Sequence, residues 1–246
     1  MKKSIKKNSD DLNIYSKKEN SYLDFKENSN IEKRQNKQAF FILISLVLIL
    51  LLFIGVFFGF KYLGGRFNYQ CLEFKKVQIG AITLYKTIIP IYENNIKVRT
   101  YEINFKYDPR ETMKIPISER TSEEGVKFVK ENNVIVSINP NMTPCQDNNL
   151  ALLTLGAFLK DSGLKVVPAM TDKTWANISN YPYIICENSS RNTVIIVTDS
   201  NLTEIKQTLT NCYEIRFADC QIMSSTERFI LEIIIDYIKK LNIKSN

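Results

Sequence analysis

Cysteine and carboxylate are the side chains of this sequence that could carry covalent or acid–base chemistry, because its 246 residues contain no histidine. Without imidazole there is no Ser-His-Asp or Cys-His catalysis, no zinc site built on histidine pairs and no histidine pH switch. What remains is carboxylate, Lys, Tyr, Ser/Thr and Cys. Cys145 stands just ahead of a helix that follows a strand, where a helix N-terminus lowers a thiol pKa and redox enzymes place their nucleophile. A thioredoxin-type motif would need a second cysteine three residues on, and that residue is Asn148. The other reading of Cys145 is one half of a disulfide.

The five cysteines are Cys71, Cys145, Cys186, Cys212 and Cys220, so at most two disulfides form within the chain and one thiol is left over or pairs between chains. Cys212 and Cys220 bracket a strand that, fully extended, holds their Cα atoms beyond the disulfide limit of about 7 Å, so a bridge between them needs a turn. The expected pairing is Cys145 with Cys186 and, if the chain bends, Cys212 with Cys220. Cys71 is then the free thiol.

The carboxylates Asp147, Asp161, Asp172, Glu187, Asp199, Glu204, Asp219, Glu227 and Asp236 are scattered, several where turns and caps want them. A glycosidase-like pair could be drawn from them. No Gly-rich phosphate loop, nucleophile elbow or zinc-type cysteine spacing occurs, and no catalytic, cofactor-binding or metal-ligating residue is assigned. Trp175 reads as packing or as an exposed contact. The basic, aromatic stretch Lys97 to Tyr107 reads first as a sheet face and second as a ligand platform.

The elements that must position these groups follow from periodicity. From Leu72 to about Ile117 apolar residues alternate, which predicts strands, with a hairpin signal at Glu93-Asn94-Asn95. Ile96 and Val98 occupy one parity, Tyr101, Ile103, Phe105 and Tyr107 the other, which predicts a bulge near Arg99-Thr100. Asp108-Pro109 stops that strand. From Asn133 the pattern becomes strand 134–138, helix from Leu150 to about Ser162, and strand 164–170: a βαβ candidate with parallel strands. Further strands are expected at Tyr183 to Cys186, Thr193 to Thr198 and Cys212 to Ala218; in Leu202 to Thr210, Leu202, Ile205 and Leu209 fit a helix and Ile205, Gln207 and Leu209 a hairpin arm, and the arm is preferred because the next strand is close by. The clearest helix follows Ser224-x-x-Glu227, a capping box, with an apolar stripe from Phe229 to Leu241 and a wet side at Glu232, Asp236, Lys239 and Lys240.

Residues 39–60 read AFFILISLVLILLLFIGVFFGF, an uncharged run that as a helix reaches about 33 Å and spans a bilayer core. A cleaved signal would have a shorter apolar stretch and a small-residue cleavage site. Lys33, Arg34 and Lys37 hold the preceding end in the cytoplasm, against Lys61, Arg66, Lys75 and Lys76 on the other flank. All the cysteines follow the span, as an oxidising side permits, and so do the sequons at Asn141, Asn177, Asn188 and Asn201. Gly55 and Gly59 have the spacing of a close helix dimer, or are simply glycines near the end of a span. Residues 1–38 carry ten Lys/Arg against six Asp/Glu, and the rest 23 against 20, so the net charge of +7 belongs mainly to a disordered tail attracted to anionic lipid, and nucleic acid is not an expected partner.

The segments NCYEIRFADC and STERFILEIIIDYI, with KYDPRETMKIPI and the single N-terminal span, resemble uncharacterised membrane-anchored envelope proteins of small-genome archaea. That resemblance implies an envelope location and carries no activity, substrate or catalytic residue. The organisation expected is a cytoplasmic tail (1–38), a transmembrane helix (39–60), a juxtamembrane linker (61–71) and one extracytoplasmic α/β (or α+β) mixed-sheet domain (72–246) with about two packed helices. The role expected is a surface binding or structural module contacting another envelope protein or a glycan, without a cofactor. The alternatives are a tethered thiol- or carboxylate-dependent hydrolase and an assembly or secretion factor that uses the tail.

Overall fold

A computed structural model of the protein describes residues 40–59, 65–93, 96–129, 133–188 and 191–244. The tail, Lys61 and the turn at Asn94-Asn95 lie outside these. Two compact units emerge, residues 1–64 and 65–246. In the first, α1 (Phe40–Gly59) is a helix with a mean hydropathy of 3.3, and among the described residues it is the one long and apolar enough to cross a membrane. Gly55 and Gly59, four residues apart, share one face of it.

The second unit is a mixed α/β fold with two sheets rather than one. Alternating residues build the first, a four-stranded antiparallel meander of β1 (Arg66–Tyr69), β2 (Leu72–Ile79), β3 (Ile82–Glu93) and β4 (Ile96–Phe105). Leu72, Phe74, Ile89, Ile103 and Phe105 face inward and are buried, while Lys75, Lys86 and Glu102 face out. The stretch expected as linker thus contains β1. The bulge falls between Ile91 and Tyr92, which face Arg99 and Lys97, so Val98 is the extra residue, slightly ahead of the expected position.

The second sheet has the order β6-β5-β7-β9-β8. β5 (Val134–Ile138), β6 (Val166–Met170), β7 (Thr193–Asp199) and β9 (Cys212–Phe217) run parallel, and β8 (Glu204–Leu209) pairs antiparallel with β9 as a hairpin arm. Strands buried on both faces read as continuous apolar runs, as in Val194-Ile195-Ile196-Val197. Between β5 and β6 runs α4 (Asn148–Asp161), which ends at Gly163, held at φ 85°. One face of this sheet receives α4 and α6 (Ile222–Lys244), and these helices in turn carry the inner face of the antiparallel sheet, so helices lie between two sheets.

That placement corrects the reading of α6. It starts two residues before Ser224, whose hydroxyl donates to the carbonyl of Gln221 rather than capping Glu227. Glu232, expected on a wet side, is buried: Arg228 donates to it at 2.7 Å and to the carbonyl of Ile115 at 3.2 Å. The short α2 (Pro109–Thr112) and α3 (Glu119–Glu124) were not anticipated. Gly125 ends α3 at φ 74°, and a Cβ there would stand 2.3 Å from Asp236 Cγ, so only glycine fits.

On the far face of the parallel sheet, residues 171–188 form α5 (Lys173–Ser179) and a 3₁₀ turn at Cys186–Asn188. The strand expected at Tyr183 to Cys186 reduces to a single bridge from Tyr183 to Met170, because the chain turns at Cys186 to meet Cys212. Trp175 lies on α5 and is 45% exposed, a surface residue and not core.

Candidate functional site

Two concavities are formed by elements far apart in sequence. The first is an apolar cleft of about 290 Å³ where the antiparallel sheet meets the C-terminal halves of α4 and α6. Ile89 and Ile91 from β3, Phe158 from α4, and Ile233 and Ile234 from α6 make its body. Its rim is polar. Tyr101 donates to an Asp161 carboxylate oxygen at 2.9 Å, Arg99 donates to the Asp161 carbonyl at 3.3 Å, and the Tyr237 hydroxyl accepts the Tyr92 N–H at 3.1 Å. Burial, then the hydrogen bond to Asp161, pushes the Tyr101 phenol up to about 12, so it stays protonated and a donor. Arg99 reaches the carbonyl end of α4, where a cation complements the helix dipole.

The second concavity, about 490 Å³ and more polar, opens at the carboxyl ends of β7 and β9. It lies beside the point where the sheet reverses direction, since the chain leaves β5 toward β6 and leaves β7 toward β9; such crevices are where open α/β sheets bind ligands. Its lining includes Thr143, Asp199, Ser200 and Asp219. Asp199, however, is already satisfied. One oxygen accepts from the N–H and hydroxyl of Thr143, both at 3.0 Å, and the other accepts from the Asn139 amide at 3.4 Å. The Thr143 N–H is the main cause that holds its carboxyl below the usual range.

Asp172, Glu204, Asp236 and Asp147 serve as a cap or in ion pairs. Asp172 accepts from the Trp175 N–H, Glu204 pairs with Arg216, Asp236 with Lys240, and Asp147 with Lys106 at 2.7 Å. Glu227 is the exception. It is buried at the end of β4 and accepts the backbone N–H groups of Lys106 and Tyr107, one on each oxygen. Burial pushes its carboxyl up to about 8, against the pull of those two donors. Glu227 thereby fastens the antiparallel sheet to α6. Among the described residues no group of three or more Cys, Asp or Glu converges as a metal site.

The four cysteines expected to bridge do so, but the partners differ. Cys145 bonds to Cys220 and Cys186 to Cys212, each pair with Cα atoms 5.5 Å apart. The strand between Cys212 and Cys220 stays extended, so they point to opposite ends of β9 and each finds a partner from another loop. Cys71 is unbonded and exposed, in the β1–β2 turn. Asn141, Asn177 and Asn201 are exposed, and Asn188 lies in the 3₁₀ turn.

Of the residues around the apolar cleft, Arg99 and Tyr101 fall in the stretch 97–107 marked as a sheet face and ligand platform, and Asp161 among the scattered carboxylates. The wall from α6 carried no signal beyond its apolar stripe. Compared with protein families, with curated proteins and with solved structures, the chain matches none.

Proposed function

We propose that the protein is a single-pass, membrane-anchored module of the cell envelope whose α/β domain stands on the extracytoplasmic side and binds a partner through the cleft between its two sheets. The observation that carries this reading is the cleft itself: an apolar body with a few convergent polar groups at its mouth, the usual form of a recognition site. Its lining offers no nucleophile beside a base, since Ser162 donates to the Phe158 carbonyl and Asp161 accepts from Tyr101. The anchor is α1, and two disulfides suit an oxidising exterior. The archaeal resemblance agrees with an envelope location.

A tethered hydrolase is less well supported. The thiol placed ahead of α4 is bonded to Cys220, which removes the nucleophile, and Asp199 is committed to Thr143 and Asn139. An assembly role would lie in the tail. Pairing through Gly55 and Gly59 and glycans at the sequons are compatible additions.

The test is purification of the full chain from its own membranes, as wild type and with Ile91→Trp plus Arg99→Glu, followed by mass spectrometry of what travels with it. A species retained by the wild type and lost by the variant is expected, with Tm unchanged. The same set on both proteins would end the cleft reading. Protease treatment of intact cells that spares the domain would end the assigned orientation.

A further inference from the structure

We propose that the tip of the β2–β3 hairpin docks on the lipid surface into which the protein is anchored, its isoleucines entering the headgroup layer and two lysines meeting anionic lipid. The proposal rests on the membrane-anchored reading above.

The hairpin outruns its sheet. β1 pairs with β2 only as far as Arg66 with Lys75, and β4 pairs with β3 only as far as Phe105 with Tyr85. Beyond the Lys76–Tyr85 pair β2 and β3 have only each other, down to Ile79 with Ile82, a projection of about 10 Å at the strand rise per residue. A two-stranded ribbon of this kind is marginal in water and leaves both its edges open. Residues 77–84, VQIGAITL, carry no charge, and at their end Ile79 and Ile82 are 61% and 58% exposed. Gly80, at φ 60°, makes the turn between them.

The chemistry at the base of the ribbon fits an anionic lipid surface. Lys75 and Lys76 immediately precede the uncharged stretch, both exposed, and neither makes an ion pair among the described residues, although the Lys76 ammonium lies 5.5 Å from the centre of the Tyr85 ring; Lys86, on the returning strand, is paired with Glu102. An apolar tip below exposed lysines is the pattern of interfacial insertion, where buried apolar area and attraction to anionic headgroups add.

The route of the chain selects the bilayer as the occupant. The Gly65 carbonyl accepts from the Lys76 N–H at 2.6 Å, so the chain enters the domain at the same end of the sheet from which the ribbon projects. Gly65 follows the last residue of α1, Gly59, by six residues, a tether that reaches at most about 21 Å when fully extended. Ile96, exposed at the start of β4, is at the opposite end of the same sheet.

The experiment places an indole reporter in the full chain, reconstituted in vesicles of phosphatidylcholine with and without phosphatidylglycerol. With Trp175→Phe as background, Ile79→Trp is compared with Ile96→Trp, using lipids that carry a quencher just below the headgroup. Blue-shifted emission and several-fold stronger quenching are expected for Ile79→Trp, strengthened by phosphatidylglycerol, against water-like emission for Ile96→Trp. Lys75→Glu with Lys76→Glu should abolish the phosphatidylglycerol dependence. Equal quenching at the two positions, or none at Ile79→Trp, overturns the proposal. Alkaline carbonate extraction of the same vesicles separates the two readings: a protein that stays in the membrane but shows no quenching fails only here, whereas one that is washed off fails as an anchored protein.

Discussion

The antiparallel sheet and the parallel sheet contribute similar lengths of chain, but they are held in different ways. β1 to β4 bury one face on α4 and α6 and show the other, with Lys75, Lys86 and Glu102, to water. β5, β7 and β9 are covered on both faces, and two disulfides fasten the loops at opposite ends of β9. The first sheet is attached by that one buried apolar face and by hydrogen bonds to α4 and α6, chiefly Lys106 and Tyr107 to Glu227, Tyr101 to Asp161 and Tyr92 to Tyr237. The parallel sheet is therefore the stable body, and the antiparallel sheet is the element free to present a cleft wall and a projecting hairpin.

Substitution in the doubly covered sheet should have the largest effect. Ile195→Ala, at a fully buried position, is expected to cost about 2–5 kcal/mol in urea unfolding of the detergent-solubilised protein. A loss under 1 kcal/mol would deny the parallel sheet its role as the body. Next in size is the staple across its carboxyl edge. Cys145→Ser with Cys220→Ser opens a loop spanning 75 residues and should cost about 2–4 kcal/mol, with the loss of hydrogen-exchange protection centred on β7 and β9. Equal loss across β2 and β3 would show that the two sheets open as one.

Glu227 sharpens the comparison by pH. Its folded-state pKa of about 8 lies above the 4.5 of an ordinary glutamate, so the native state keeps a proton that the unfolded chain has lost. Its contribution to stability should therefore be greatest below about pH 4.5 and fall as pH rises toward 8, by up to about 1.4 kcal/mol per pH unit. No imidazole titrates in this window, because the sequence has no histidine. Melting between pH 5 and 8 should show the decline in the wild type and lose it in Glu227→Gln; an unchanged slope would reassign the titration. The smallest effect belongs to the outer face of the antiparallel sheet, where Ile88→Ala, at a site 55% exposed, should shift stability by no more than about 0.5 kcal/mol.

Local patterns were legible in the sequence, and long-range pairings were not. Strand, helix and strand from Val134 to Met170 follow from period and caps, and so does the hairpin arm 204–209, because neighbours along the chain decide them. Glu232 was misread because its partner Arg228, itself held by the Ile115 carbonyl, makes a charged position compatible with burial that its type argues against. The cysteine pairs escaped because loops fold over the ends of β9 in three dimensions, and linear spacing says nothing of that. α2, α3 and α5, of four, six and seven residues, are too short to show a helical period. The cleft was visible only as Arg99, Tyr101 and Asp161 taken singly. Its walls come from chain segments about 60 to 145 residues apart, joined through Tyr101 to Asp161 and Tyr92 to Tyr237.

The position of α6 also sets an order of events in biogenesis. The longer of the two helices that both sheets lean on spans residues 222–244, so every strand is synthesised before that support exists. Until that stretch has been made, β1 to β9 have only α4 as a shared surface on which to bury their apolar faces. A ribosome stalled shortly before residue 222 should carry a nascent chain that proteases digest readily, and one stalled on a linker fused after residue 246, long enough to bring the helix out of the exit tunnel, should carry a resistant domain.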